Sequence, residues 1–425
     1  MADFGWGTAL FFNAPAMKIL IASYHFPPFN VAASQRALGW AKYLPEFGIQ
    51  TTLVTMDFKG VKPVCSADVH YIKQVQGLTQ EDSPFFAEWP IVSTAKTVKN
   101  YLIGHFDQHI QSAERALWNW LDDHCSAHTY DLYLGIFSPH FHIEHGYRLK
   151  KKYGLPFVID FRDLFDNRLA DGPIQASRKQ ELINTLILTK WKKWMQTASG
   201  WSTVSIPLAV KLHEWFESEG RCILNGVDVK EMQATKIKHF EKFTVIHTGR
   251  IYEDQDLKTF LSTWQKFEQG RDVELLFYGE NALLNKHLCN FMSDYGLLHK
   301  VKILPKAERP EILALQKGAH LLYFPGFINR KGLYSTKIFE YVASQSHVLL
   351  CPSDKDVIDQ LLSKYEGTHI MHTEEQASVF LEDHYRRWQQ NQLTPINRQL
   401  KEIDRRYMAG ELATYLKEIK GEMSI

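Results

Sequence analysis

The sequence predicts an α/β protein built from two doubly wound parallel sheets in succession, and three observations carry that prediction. Short, uniformly apolar runs recur along the chain with helical stretches between them, which is the pattern of strands covered on both faces. At 425 residues the chain exceeds what one hydrophobic core ordinarily serves. The alternation also lapses once, between Asp228 and Phe240, into polar, Lys-containing sequence, and a second series then starts afresh, marking an interdomain linker.

The first series opens with Lys18 to Ser23, a β-branched-rich strand. A loop with Pro27 and Pro28 follows, then a helix from about Ser34 to Phe47 and a strand from Gln50 to Thr55. Met56 to about Trp89 is less regular and reads as loops, and Thr94 to His124 as a long amphipathic helical region. The rhythm resumes with strands Asp131 to Phe137, Pro156 to Asp160, Gly200 to Val204 and Arg221 to Leu224, separated by helices near 141–153, 177–197 and 206–218. Strands of the second series are Phe243 to Thr248, Val273 to Tyr278, Val301 to Leu304, Ala319 to Phe324, His347 to Cys351 and Thr368 to Met371. Asn397 to Lys420 is helical, follows the completed second sheet, and is expected to cross back to the first. The expected divisions are thus an extension at 1–16, a first domain at 17–230, a second at 231–396 and a returning helical segment at 397–425.

Composition narrows the function. The 49 basic and 48 acidic residues balance, so no overall basic field exists to hold nucleic acid. Cys65, Cys125, Cys222, Cys289 and Cys351 show no CxxC spacing and read as the reduced thiols of a cytoplasmic protein. No apolar run approaches the roughly 20 residues of a membrane-spanning helix. Residues 1–16 are mildly apolar but lack the basic region of a signal peptide.

The most informative stretch is Phe324 to Ala343. An apolar strand runs into a Gly-containing loop and then into a helix, an order that aims backbone N–H groups and a partial positive dipole at an anion. Lys337 adds a full charge in the first turn. Glu340 lies about one turn on, where a carboxylate accepts two sugar hydroxyls. In the first series, Asp160-Phe161-Arg162-Asp163 closes a strand and packs two carboxylates around an arginine, as an acceptor-activating group or as an internal ion pair. His140, His142 and His145 with Glu144 lack HExxH spacing and open a helix, so no metal is assigned to them. Lys190-Trp191-Lys192-Lys193-Trp194, like Lys96, Lys99, Tyr101 and Leu102 earlier, mixes cations with apolar rings at helical spacing. Such a face either lies on an anionic membrane surface or packs its rings inward.

Several pieces together carry a resemblance: KILIASYHFPP before Phe29, VIDFRDLF at Val158 to Phe165, TVS at Thr203 to Ser205, ILNGVD at Ile223 to Asp228, HTGRIY at His247 to Tyr252 and KIFEYVA at Lys337 to Ala343. In this order the chain resembles the GT-B glycosyltransferases, specifically glycosyltransferase family 4, retaining enzymes with two Rossmann-like domains facing a cleft. The resemblance implies a nucleoside diphosphate sugar as donor substrate, no permanently bound cofactor, no metal, and a glycan or lipid-linked acceptor in cell-surface polysaccharide assembly. It implies that Glu340 binds the ribose hydroxyls and that Arg250, behind Gly249, faces the donor diphosphate. Lys337 and the N–H groups around Ser335 and Thr336 would support the same phosphates, with Tyr334 and Gly279 near the nucleotide. Asp163 would orient the acceptor hydroxyl, and Arg162 would hold that carboxylate or a phosphate. Three positions depart from the family pattern: Gly332 stands where a second Glu is usual, Ala32-Ala33 replace a glycine pair, and Gln255 and Asp256 replace a lysine. An epimerase on the same fold and a non-catalytic nucleotide- or glycan-binding protein are the alternatives.

Overall fold

A computed structural model describes residues 16–29, 31–73, 108–126, 128–162, 178–252, 254–279, 285–328, 330–394 and 396–422. Its first sheet has seven parallel strands in the order β3-β2-β1-β4-β5-β6-β7. They are β1 (Met17–Ser23), β2 (Ile49–Asp57), β3 (Asp68–Lys73), β4 (Leu132–Phe137), β5 (Phe157–Phe161), β6 (Gly200–Thr203) and β7 (Gly220–Cys222). A second sheet of six parallel strands runs β10-β9-β8-β11-β12-β13, comprising β8 (Phe243–Thr248), β9 (Val273–Tyr278), β10 (Lys302–Leu304), β11 (Leu321–Phe324), β12 (Val348–Leu350) and β13 (Thr368–Ile370). The expected two-sheet α/β architecture is the observed one.

Uniform apolarity has the expected cause, since both faces of each sheet are covered. One face of the first sheet packs on the helices Gln108–His124, Phe141–Tyr153 and Arg178–Met195. Its other face takes the helix Ala32–Tyr43 and the C-terminal helix Arg405–Glu422, which brings Met408, Leu412, Leu416 and Ile419 against Ile19, Trp40 and Leu44. The chain therefore does return to the first sheet, but its helix begins at Arg405 and not at Asn397. Ahead of it only Lys401–Ile403 make a single 3-10 turn, and residues 396–400 are extended or irregular, tied down where the buried Arg398 guanidinium donates to the carbonyl oxygens of Glu366, Val342 and Ser346. Where the chain returns, Val227 bridges Asp404, with the Val227 N–H on the Ile403 carbonyl at 2.8 Å and the Arg405 N–H on the Val227 carbonyl at 2.9 Å.

Two expectations need correction, and one alternative left open is decided. The stretch after Met56 holds β3, an edge strand whose side chains are only half-buried and so give no apolar run. The polar linker contains the short helix Val229–Ala234, capped by the Asp228 carboxylate accepting from the Glu231 N–H. Trp191 and Trp194 are buried, Trp191 against Phe137 and His140 and Trp194 against Tyr147, so the lysine–tryptophan helix turns its rings inward. Residues 94–107, including Lys96, Lys99, Tyr101 and Leu102, lie outside the described residues, as do residues 1–15. No helix among the described residues is long and apolar enough to cross a membrane.

Asp160 also departs from the reading that grouped it with Arg162. Its carboxylate, fully buried, takes Arg36 through two bonds of 2.7 and 2.8 Å, the Trp40 indole at 3.0 Å and the Ser202 hydroxyl at 2.7 Å. Arg36 extends the same network to the Leu224 carbonyl at 3.0 Å. Burial alone would raise the Asp160 pKa, yet the Arg36 charge and these donors reverse it and hold the carboxyl below its usual value. Since the folded pKa is depressed, the stabilisation is complete above the unfolded value of about 3.9 and is lost as pH falls through the folded one. Asp160→Asn, which leaves Arg36 uncompensated, is expected to lower the unfolding free energy in urea by roughly 3–5 kcal/mol at neutral pH. That deficit should stay constant down to about pH 5 and narrow below about pH 4.

Candidate functional site

The carboxyl ends of β8, β9 and β11 converge on the helix Thr336–Ser344. Gly249 follows β8 at φ +83° and Gly279 follows β9 at φ +91°, both in the left-handed region. The two turns nearly touch: a Cβ on Gly279 would stand 3.0 Å from the Gly249 Cα. A Cβ on Gly249 would overlap the Lys337 side chain, which crosses above it to donate from Nζ to the Arg250 carbonyl at 2.9 Å. The missing side chain at Gly249 is thus what lets Lys337 lie over the end of β8.

Three cations surround one ring. Arg250, Lys337 and Arg330 lie 5.8, 5.9 and 5.9 Å from the Tyr252 ring centroid. Arg330 pairs with Asp254 at 2.6 Å. Ser335, with extended backbone, precedes the helix without capping it through its side chain, so the Thr336 and Lys337 end of the helix retains its donor character. Tyr334, Ser335, Thr336 and Lys337 are all half-buried here.

Glu340 lies deeper and is 9% exposed. One carboxylate oxygen accepts from Arg309 at 2.7 Å and the other from Gln316 at 3.2 Å. Arg309 in turn grips Glu231 through Nε at 2.9 Å and Nη2 at 2.8 Å, so one guanidinium ties the interdomain helix Val229–Ala234 to the site. Burial opposes ionisation of both partners, but each charge overrides it in the other: Glu340 titrates below the ordinary carboxylate range and Arg309 above the ordinary guanidinium range. Beneath them Tyr341 accepts from the Thr248 N–H at 2.8 Å, fixing the helix to the end of β8.

Across the cleft, Arg162 follows β5 and lies beside His25, which follows β1. His25 is buried and stacks on Phe29, and burial together with the Arg162 charge brings its pKa down to about 3. Asp163 lies outside the described residues. The loop before the Thr336–Ser344 helix spans the cleft: the Ser205 hydroxyl donates to the Gly332 carbonyl at 2.5 Å, and a Cβ on Gly332 would stand 2.8 Å from Pro207. Position 332 is therefore occupied by an interdomain contact. His142 and His145 are wholly buried among Tyr133, Phe141 and Trp118.

The structure brings Gly249, Arg250, Gly279, Lys337 and Glu340 together, and puts Arg162 on the opposite domain. Sequence reasoning missed Arg309, Gln316, Arg330 and the ring of Tyr252. Tyr252 stood inside HTGRIY, but the others are single polar residues with no local signature.

No family model and no curated protein sequence matches the chain. Solved structures do match along nearly its whole length. Sucrose-phosphate synthase from Thermosynechococcus elongatus superposes with a TM-score of 0.60 at 12% identity, covering 96% of this chain and 97% of that one. Anabaena HepE, solved with UDP-glucose, gives 0.53 at 14%, covering 96% and 98%. UDP-GlcNAc 2-epimerase from Methanocaldococcus jannaschii gives 0.52 at 9%, covering 95% and 100%. The chain thus has the GT-B fold.

Two substitutions probe this geometry in denaturant unfolding. Gly249→Ala, strained in backbone and overlapping Lys337, is expected to cost roughly 1–3 kcal/mol. Arg309→Met, which strands Glu340 beside Glu231, is expected to cost about 3 kcal/mol, and adding Glu340→Gln should recover part of that loss.

Proposed function

We propose that this chain is a retaining glycosyltransferase. It moves a sugar from a nucleoside diphosphate sugar to a glycan or lipid-linked acceptor in cell-surface polysaccharide assembly. The observation that carries this reading is the pairing of two unlike sites 3 to 5 residues apart at one helix: a half-buried, cationic N-terminus at Ser335 to Lys337 and a buried, ionised carboxylate at Glu340. A diphosphate needs the first and a ribose needs the second. The solved relative that holds UDP-glucose shares this fold across its length, which supports the same donor class.

In this reading Glu340 accepts a ribose hydroxyl with its remaining lone pairs, Arg309 and Gln316 holding it in place. Lys337 leaves the Arg250 carbonyl for the phosphates, and Arg250 swings beside it. Their charges, with the helix N–H groups, offset the negative charge that develops on the leaving diphosphate, the role otherwise taken by a metal ion. Tyr334 and Gly279 flank the nucleotide. Arg162 and Asp163 serve the acceptor, Asp163 orienting its hydroxyl for attack on the face that the diphosphate leaves. A lipid-linked acceptor would meet the protein at an anionic membrane surface.

An epimerase is the second reading, favoured by one observation: Gly332 and its loop offer the donor sugar no carboxylate and are spent on contact with Ser205 and Pro207. Products separate the two. Nucleotide sugars that raise the thermal midpoint would be incubated with and without glycan acceptors. Transfer predicts a new glycoside plus nucleoside diphosphate only when acceptor is present, a rate unmoved by added Mg²⁺, and losses of roughly 100-fold or more in Lys337→Ala and Arg250→Ala. An altered donor without acceptor would establish the epimerase, and failure to bind any nucleotide would overturn both readings.

A further inference from the structure

Away from the cleft, three histidines meet inside the second domain. His347 immediately precedes β12, His369 lies within β13, and His384 is on the covering helix Glu374–Gln389. The strand register explains the meeting. Leu349 is opposite His369, so His347, two residues back, shares their face, and that face is the one the helix covers with Ala377 and Leu381. One ring nitrogen from each histidine lies within 4.8 Å of the others. His347 Nδ1 and His369 Nε2 are 3.1 Å apart. Two imidazole nitrogens on one tetrahedral zinc, at about 2.0–2.1 Å each, stand about 3.3–3.4 Å apart.

A further feature distinguishes this cluster from histidines that merely fill a core. His384 Nε2 lies 3.1 Å from the His320 carbonyl oxygen. That acceptor fixes the proton on Nε2 and leaves Nδ1 as a lone-pair donor, the arrangement by which metal-bound imidazoles are oriented. The contact between His347 and His369 admits only one hydrogen bond between the two rings in either tautomer, whereas a metal would take the lone pairs of both nitrogens. Arg387 and Arg398 add positive potential nearby. Selectivity comes from the ligands: three imidazoles with no carboxylate among them favour a metal that bonds well to imidazole over hard, oxygen-seeking cations.

We propose that His347, His369 and His384 form a zinc site that clamps β12, β13 and the helix Glu374–Gln389 together. His347 stands at the amino end of β12, whereas the cationic cluster gathers at the carboxyl ends of β8, β9 and β11, so the zinc is structural and takes no part in chemistry at the cleft. Three protein ligands leave the fourth tetrahedral position to a non-protein ligand, unlike the four protein ligands usual in structural zinc sites.

The test uses the purified full chain, stripped with a chelator and titrated with Zn²⁺ against a chromophoric competitor, with Co²⁺ as a spectroscopic probe. One Zn²⁺ should bind per chain and raise the thermal midpoint by about 2 °C or more when the free metal is 100-fold above Kd. Co²⁺ should give visible bands of tetrahedral intensity that one equivalent of Zn²⁺ removes. His369→Gln and His347→Gln should each lose at least about tenfold in affinity, while His372→Gln, an exposed neighbour, should bind as wild type. Absence of stoichiometric binding to wild-type protein would overturn the proposal, as would full affinity in the His347 and His369 variants. The Co²⁺ readout needs no variant, so a variant that fails to fold does not rescue the idea.

Discussion

The two sheets are joined where the chain passes between them twice, and that double crossing sets everything around it. Val227 on the outward pass pairs with Ile403 and Arg405 on the return. A single crossing would leave a hinge about which the sheets rotate freely, whereas two chain segments hydrogen-bonded side by side restrict that rotation. The crossing is also charged and largely dry. Arg36 reaches from Asp160 to the Leu224 carbonyl, Lys42 bonds Asp228 at 2.5 Å, and the buried Arg405 donates to Gln35 at 3.3 Å. Such buried networks are costly to desolvate and fail strongly when one member is removed, so they specify a geometry more than they add stability.

From this crossing the arrangement passes directly into the candidate site. Glu231, on the helix that follows the outward pass, holds Arg309, and Arg309 holds Glu340. One guanidinium therefore links the junction of the domains to the carboxylate read as the ribose acceptor. Any movement of the Val229–Ala234 helix is felt by Glu340, because Arg309 cannot keep short bonds to both carboxylates if they separate. The opposite edge of the cleft has its own link, from Ser205 to Gly332, so the loop ahead of the Thr336–Ser344 helix is positioned by the first domain as well.

How much of this was legible in the sequence follows from which interactions are local. Uniform apolarity revealed the central strands, and β8 and β9 fall at their expected bounds, because burial on both faces leaves no other pattern. β3 was illegible, since an edge strand needs no apolar run. The helix start at Ser335 to Lys337 with Glu340 one turn on was visible as spacing. Its partners were not: Arg309 reaches Glu340 across 31 positions and Glu231 across 78, and nothing in the sequence near Arg309 announces either bond. Asp160 was misassigned for the same reason. An arginine two residues away looked like its natural partner, but β-strand neighbours at that spacing need not meet, and Arg36, 124 positions distant, fills the site instead.

The central claim is that the N-terminus of the Thr336–Ser344 helix and Glu340 divide one nucleoside diphosphate between them. The most direct measurement is a crystal structure of the protein with such a nucleotide. The account predicts phosphate oxygens within hydrogen-bonding distance of Lys337 Nζ and the first-turn N–H groups, and ribose hydroxyls on Glu340 with its Arg309 bond intact. A nucleotide bound elsewhere, with Lys337 still on the Arg250 carbonyl and Glu340 shielded by Arg309 and Gln316, would contradict it.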